Sequence, residues 1–383
     1  MSLAVFLATL AATAYLYFGY PALIYLVSRL RPRPFRRGGE PTVTVLIPVY
    51  NEEEVIGEKI ANTLALDYPP ERLETLIVSD GSTDGTEAVV RRFESDRLRL
   101  LSIPRSGKAF ALNAGARAAR GEILVLTDAN TLLEPGSLRP LVDPFADPGV
   151  GGVCGNKKQR PPAGADTTAE GENLYWRWDK WQKSLESRAG SIFAADGTLY
   201  AVRKDLYVPI ADPAQADDIA ISARVVLQGG RLLYEPRAVA WEEAPAEGRE
   251  EFRRKVRVTN HSVRALWNLG RGLWTSGFYS VELLSHKLFR HLVPFFLIPL
   301  FLSNAVLAAG GPPVFRILFA GQVLFYGLAL AGFALRGTRL GRAKPFTVPY
   351  YFCLVNAAAF LGVLSILRGR RLRAWTPRSG LPS

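Results

Sequence analysis

At 383 residues the chain is long enough for two or three domains, and its hydrophobic residues (48%) crowd into the first thirty and last hundred positions, so the excess belongs to membrane segments. The net charge of +12 is mostly arginine beside those apolar segments, which fits anionic headgroups and anionic phosphates; the central region has no basic stripe interleaved with aromatics, which argues against nucleic acid as a partner. Cys154 and Cys353 lie far apart without metal-type spacing, which argues against a disulfide framework and a zinc site.

Leu3 to Val27 is apolar, uncharged and long enough to span a bilayer. A secretory signal is the alternative, but no lysine or arginine precedes the apolar stretch, which is also too long. Arg29, Arg31, Arg33, Arg36 and Arg37 follow at once. The positive-inside rule then places the N-terminus outside and the following residues in the cytoplasm, in a multi-pass protein of the plasma membrane.

From Pro41 to about Ala244 strands alternate with helices. Thr42 to Pro48 predicts a β-branched strand, and Asn51-Glu52-Glu53-Glu54 a helix start with acids in its first turn. Leu73 to Ser79 predicts a second strand, ending at Asp80-Gly81-Ser82-Thr83-Asp84-Gly85. Leu98 to Ile103 predicts a third, followed by Gly107-Lys108 and a helix from about Ala109 to Ala119. Ile123 to Leu126 is a continuous apolar run, as in a strand buried on both faces, and it stops at Thr127-Asp128-Ala129-Asn130. This order predicts an α/β fold with a doubly wound, mostly parallel sheet.

Ligands bind at the carboxyl ends of such strands, where Glu52, Asp80 and Asp128 all fall. No GxGxxG follows the first strand and no GxxxxGK[ST] occurs, which removes dinucleotide-binding and P-loop readings. Asp128 and Asn130, two apart, share a face on extended backbone. Their oxygens suit a hard divalent cation, Mg²⁺ or Mn²⁺, that carries substrate phosphates. A plain Asp-Asn turn is the alternative.

The segments PVYNEE (Pro48 to Glu53), VSDGSTDGT (Val78 to Thr86), GKAFALNAG (Gly107 to Gly115) and LTDAN (Leu126 to Asn130), with ADDIAISARVVLQGGRLLYEP (Ala216 to Pro236) and RRKVR (Arg253 to Arg257), resemble family 2 glycosyltransferases with a GT-A catalytic domain. The resemblance covers about residues 41 to 267. It implies a nucleotide-sugar donor site with Pro48, Tyr50, Glu52 and Asp80 around the base and ribose and Lys108 nearby. Asp128 and Asn130 would hold the metal and diphosphate. Asn130 stands where the family's motif has a second Asp, so its amide ligates with less charge.

Asp217-Asp218 open a predicted helix, where acids also serve as caps. The resemblance aligns Asp218 with the family's catalytic base, and a sugar hydroxyl needs such a positioned carboxylate to become nucleophilic. Asp217 stands in place of a Glu on the acceptor side. Arg254, Arg257, His261 and Arg264 share one face of a helix predicted from about Gly248 to Leu269. Arg254 to Val258 resembles the QxxRW motif of processive members, with Arg254 for Gln and Val258 for Trp. Arg257, the retained arginine, would stabilise the leaving diphosphate, with Arg254 beside it. Trp176 and Trp181, in a segment with three tryptophans, and the Asp196-Gly197 turn are candidates for acceptor binding. A packed, half-buried helix is the plainer reading of the tryptophans.

Leu292 to Ala309, Val314 to Leu335 and Tyr350 to Leu367 each approach spanning length. The expected division is a membrane helix over 1–30, a GT-A domain over 41–270, an interfacial helix over 278–290, two to three membrane helices over 291–370 and a basic tail over 371–383. Both flanks of the last apolar segment are basic. Either that segment is re-entrant or interfacial, or the charge rule fails at the tail.

Together these features predict an inverting membrane glycosyltransferase that moves sugar from a nucleotide sugar, expected to be a UDP-sugar, to a growing polysaccharide. It resembles cellulose, chitin, hyaluronan and poly-N-acetylglucosamine synthases. Transfer to a polyprenyl phosphate or other lipid acceptor is the rival, and a non-catalytic membrane sugar-binding protein the third reading. The sequence does not reveal the oligomeric state.

Overall fold

The computed structural model describes residues 1–160, 168–243 and 248–370; the expected tail over 371–383 lies outside them. The described helices are α1 (Ser2–Ala14), α2 (Tyr20–Leu30), α3 (Glu53–Leu64), α4 (Thr86–Arg91), α5 (Lys108–Ala118), α6 (Leu138–Val142), α7 (Thr168–Ala189), α8 (Asp217–Leu227), α9 (Gly248–Trp267), α10 (Gly272–Thr275), α11 (Phe278–Glu282), α12 (Phe289–Gly310), α13 (Pro313–Ala334) and α14 (Lys344–Leu367). Eight strands form one sheet: β1 (Val43–Val49), β2 (Leu73–Asp80), β3 (Leu98–Ile103), β4 (Ile123–Thr127), β5 (Leu132–Leu133), β6 (Val150–Arg160), β7 (Leu199–Arg203) and β8 (Arg231–Glu243).

The strand order is β3-β2-β1-β4-β7-β6-β8-β5. The four strands predicted from sequence form its parallel half, with β1 between β2 and β4. Beyond β4 the sheet is mixed: β7 runs antiparallel to both β4 and β6, and β5 antiparallel to β8. The sheet is therefore parallel where βαβ crossovers build it, and it turns where β7 returns beside β4.

β1 shows why these strands are apolar throughout. Val43, Val45, Ile47 and Val49 face one core with Ile56 and Ile60 of α3. Leu46 faces a second core with Leu76, Val78, Leu112 of α5 and Ile221 of α8. Burial on both faces removes the polar alternation expected of a half-exposed strand.

Four helical stretches are long and apolar enough to cross a membrane: Ser2–Leu30, Phe278–Gly310, Pro313–Ala334 and Lys344–Leu367. The first passes through a π turn at Tyr15–Gly19, the second through one at Leu283–Leu288. The helix expected over 278–290 is thus continuous with the span that follows, and its Leu283, Ser285 and His286 are buried. α14 starts at Lys344, six residues before the expected segment, and its last turns lean on α9: Asn260 Nδ2 donates to Ser365 Oγ at 2.7 Å.

Candidate active site

The loops after β1 and β2 are fastened together. Asn51 adopts φ +52°, and its side-chain oxygen accepts the Thr83 N–H at 2.8 Å. The Glu52 N–H donates to Thr86 Oγ1 at 2.8 Å. Glu52 is nearly buried, and Pro48 is buried within β1.

Asp80 ends β2 with its side chain fully buried, which an unpaired carboxylate does not tolerate. It accepts backbone N–H groups from Ser106 at 2.6 Å and Gly107 at 2.8 Å and pairs with Arg105. Arg105 in turn lies 3.6 Å over the Tyr50 ring. Tyr50 and Asp80 are thus brought together by Arg105, a residue that no sequence motif singled out. The need of a buried strand-end acid for a nearby cation is the signal that could have found it. Gly81 makes this approach possible: at φ +68° it sits so close to the Arg105 backbone that a Cβ would lie 2.7 Å from Arg105 N.

Gly107 and Lys108 connect the two ends of the cleft. While Gly107 N–H serves Asp80, Lys108 Nζ bridges Asp128 Oδ1 at 2.8 Å and Asp217 Oδ2 at 3.1 Å. Burial works against the ammonium charge, but the two carboxylates outweigh it and hold the Lys108 pKa above its usual value. β4 thus delivers Asp128 to the start of α8. Thr127 Oγ1 donates to the Thr198 carbonyl at 2.9 Å, which brings the Asp196-Gly197 turn alongside.

Asp218 lies in the first turn of α8. Its Oδ1 accepts the Ile219 N–H at 2.8 Å and its Oδ2 the Gly197 N–H at 3.2 Å. Burial, then the adjacent Asp217 charge, raise its pKa to about 6. A carboxylate tuned upward in this way is ionised near neutral pH and still basic enough to accept a proton.

The arginine helix α9 adjoins this turn: the Ala216 N–H donates to the His261 carbonyl at 3.1 Å. Arg257, half-buried, lies one turn earlier on the same side. Arg254 is held by Glu251, through Nε at 2.7 Å and Nη2 at 3.0 Å. The structure thus gives Arg254 a carboxylate partner on its own helix, where the sequence suggested a diphosphate.

The tryptophans part company. Trp176 shares a face of α7 with Lys180 and Lys183, lies 5.3 Å from Lys157 Nζ, and stays on the side of Asp196. Trp181 faces the other way. With Trp178 it lines an apolar groove against Tyr17, Phe18, Pro21, Ala22, Tyr25 and Leu26 of the first membrane stretch. Helical geometry separates two residues five apart by well over a right angle, so one helix cannot aim both rings at one acceptor.

A divalent cation fits the residues present. Among the described residues no cluster of three or more His, Cys, Asp or Glu side chains could hold a metal alone. Asp128 keeps 36% of its side chain exposed, with Lys108 on one oxygen. Asp128 and Asn130 do not lie on extended backbone as expected: β4 ends at Thr127 and the chain turns there, with Thr131 N–H donating to the Asp128 carbonyl at 3.3 Å. One carboxylate and one amide oxygen from this turn are donor types that, completed by substrate phosphates and water, suit Mg²⁺.

Residues 44–207 match the family model "Glycosyl transferase family 2", so the chain carries a family 2 glycosyltransferase domain. The poly-beta-1,6-N-acetyl-D-glucosamine synthase of Staphylococcus aureus (strain COL) is 30% identical over 212 residues, 53% of this chain and 50% of that protein. The chain thus spans about half the length of the curated relatives it matches. The mannosyltransferase PcManGT from Pyrobaculum calidifontis, solved in complex with GDP-Man and Mn²⁺, superposes with a TM-score of 0.71 at 27% identity, covering 97% of this chain and 100% of that one. The fold is GT-A.

Proposed function

We propose that this family 2 glycosyltransferase domain works at the membrane surface as an inverting transferase, moving a sugar from a nucleotide sugar to a hydroxyl of a growing glycan. The observation that carries the reading is the convergence of Asp128, Lys108 and Asp217 at three chain segments' ends, linked by ion pairs of 2.8 and 3.1 Å through Lys108, with Asp218 next to Asp217 in the first turn of α8.

In this reading the acceptor hydroxyl lies against Asp218, whose carboxylate takes its proton as the oxygen attacks the anomeric carbon from the face opposite the leaving group. The bond to the nucleoside diphosphate breaks and the anomeric configuration inverts. Gly197 N–H and Ile219 N–H hold the two carboxylate oxygens and orient the base. Lys108 offers positive charge beside the diphosphate, and Arg257 adds more from α9. Asp128 and Asn130 would hold a divalent cation, which would supply Lewis-acid neutralisation of diphosphate charge. Tyr50, Glu52 and Asp80 form the base and ribose end.

The similarity to a poly-N-acetylglucosamine synthase supports a UDP-sugar and a polymeric product. A second reading is single transfer to a lipid acceptor, which draws on the stretches apolar enough to cross a membrane; the superposition with a mannosyltransferase solved with GDP-Man adds a GDP-sugar as an alternative donor. The arginines after the first membrane stretch support a cytoplasmic catalytic domain in a multi-pass protein of the cell membrane.

Incubating the purified protein in lipid nanodiscs with radiolabelled UDP-N-acetylglucosamine or GDP-mannose, with lipid extract and Mn²⁺, decides between them by product size. A ladder or polymer from the UDP-sugar is expected. A single lipid-soluble product from either donor supports the second reading, and release of neither nucleotide would sink both.

A further inference from the structure

One chain of charged and polar side chains is buried outside the donor and metal positions. Lys183, Asp179 and Glu186 of α7, His286 of the π turn and Tyr20 of α2 are each at most 4% exposed. Tyr20 Oη donates to Glu186 Oε1 at 2.5 Å, and that oxygen lies 2.5 Å from His286 Nδ1. His286 Nε2 is 3.2 Å from Asp179 Oδ1, and Asp179 Oδ2 is 3.3 Å from Lys183 Nζ. Lys183 Nζ then donates to Asp196 Oδ2 at 2.7 Å. Arg290 joins from the start of α12, 3.4 Å from Asp179 Oδ1 and 3.2 Å from Gln182 Oε1.

The chain of contacts ends on the turn that grips the base. Ala195 N–H donates to Ser222 Oγ at 3.0 Å, and Ser222 Oγ donates to the Asp218 carbonyl at 2.6 Å. Asp196 N–H reaches Cys154 Sγ at 3.3 Å, and Gly197 N–H holds the Asp218 carboxylate at 3.2 Å. Three successive backbone donors of one turn are thus committed to β6 and the first turns of α8, while its one side-chain carboxylate is committed to Lys183.

Stability alone does not account for such a chain. Desolvating several ions costs about as much as their pairing returns, and apolar side chains of similar volume often serve as well. Directional ion pairs do fix one geometry among several packings. Here they join two stretches apolar enough to cross a membrane to the turn beside Asp218. We propose that Lys183 is a positioning residue: through Asp196 it fixes the Ala195–Gly197 turn, and with it the Asp218 carboxylate, at a set height relative to the membrane-seated Tyr20 and His286. An acceptor delivered along the bilayer then meets the base at a defined distance. Only the kinetic arm of the test rests on Asp218 being the base.

The test compares Lys183→Met and Lys183→Arg with the wild type as full chains in nanodiscs, by hydrogen exchange and by turnover of whichever of UDP-N-acetylglucosamine and GDP-mannose the wild type consumes. In Lys183→Met the amides of Ala195 to Gly197 are expected to exchange about tenfold faster while β1 and β4 keep their protection. A misplaced base is expected to lower kcat roughly 10²-fold, with donor KM held within about twofold. Lys183→Arg, which keeps the charge and reach, restores both. Unchanged exchange at the turn in Lys183→Met overturns the proposal whatever the activity does, and so does a rise shared equally by β1 and β4. Asp218→Asn runs in parallel: if it still turns over donor, the base assignment fails while the exchange arm still decides the tie.

Discussion

Asp218 is the residue on which the chemistry turns, and its surroundings give it two measurable properties. Removing the carboxylate should lower turnover by about 10²- to 10⁴-fold, the usual worth of a general base. Asp218→Asn should leave nucleotide binding, followed by titration calorimetry, within a few-fold of wild type. Because the base acts ionised and its pKa is raised to about 6, kcat/KM should fall as pH drops through about 6 and level off above it. A flat profile down to pH 5 would remove Asp218 from the role. Asn130 makes a different prediction. An added carboxylate strengthens a hard-cation site, so Asn130→Asp should lower the Mn²⁺ concentration needed for half-maximal turnover after chelation, by about tenfold. Asp128, Asp80 and Asp218 were legible as residues because each stands at a strand end or helix start. Arg105 and Lys183 were not, since their partners are 25 and 13 positions away and no spacing rule connects them.

At the scale of elements, the loop between β3 and α5 joins the two ends of the cleft. It serves Asp80 through two backbone N–H groups and presents Lys108 to Asp128 and Asp217. Gly81→Ala would put a methyl 2.7 Å from Arg105 N on backbone at φ +68°, so loop and strand end must separate. The expected result is nucleotide affinity weaker by about tenfold with a stability loss of roughly 1–2 kcal/mol, read by calorimetry and thermal unfolding. Wild-type affinity in this variant would remove the loop from donor binding. The helices α3, α5, α8 and α9 lie close to where periodicity and acidic starts put them. What periodicity did not reveal is which of their faces meets the cleft. Trp176 and Trp181 look equivalent in sequence, yet α7 turns one toward Lys157 of β6 and the other toward the first membrane stretch.

For the whole molecule, the contacts of α14 bear on its two basic flanks. α13 begins beside the far end of α1, where Phe6 and Phe315 pack with ring centroids 5.4 Å apart. α2, at the other end of that stretch, reaches α7 through Tyr20 and Glu186. The end of α13, with Arg336, therefore points back toward the catalytic domain. α14 starts there, with Phe333 and Tyr350 6.0 Å apart, and finishes against α9 of that same domain. Both flanks should lie on one side of the membrane. Single cysteines at Thr338 and Gly369, in a chain with Cys154 and Cys353 replaced by serine, should both react with a membrane-impermeant maleimide from the catalytic-domain side only. Labelling from opposite sides would make α14 a crossing helix.

The order of the first four strands, the acids at their ends, the helix that starts with Asp217 and Asp218 and the apolar stretches follow from local signals: burial period, caps and charge beside hydrophobic runs. Those signals act over a few residues, so the sequence alone determined them. The antiparallel return of β7 beside β4, the Lys108 bridge, the Arg105 stack on Tyr50 and the buried chain from Tyr20 to Asp196 depend on segments up to 166 positions apart meeting in space. Only the tertiary structure decided these, because an ion pair depends on distance in space and not on distance along the chain.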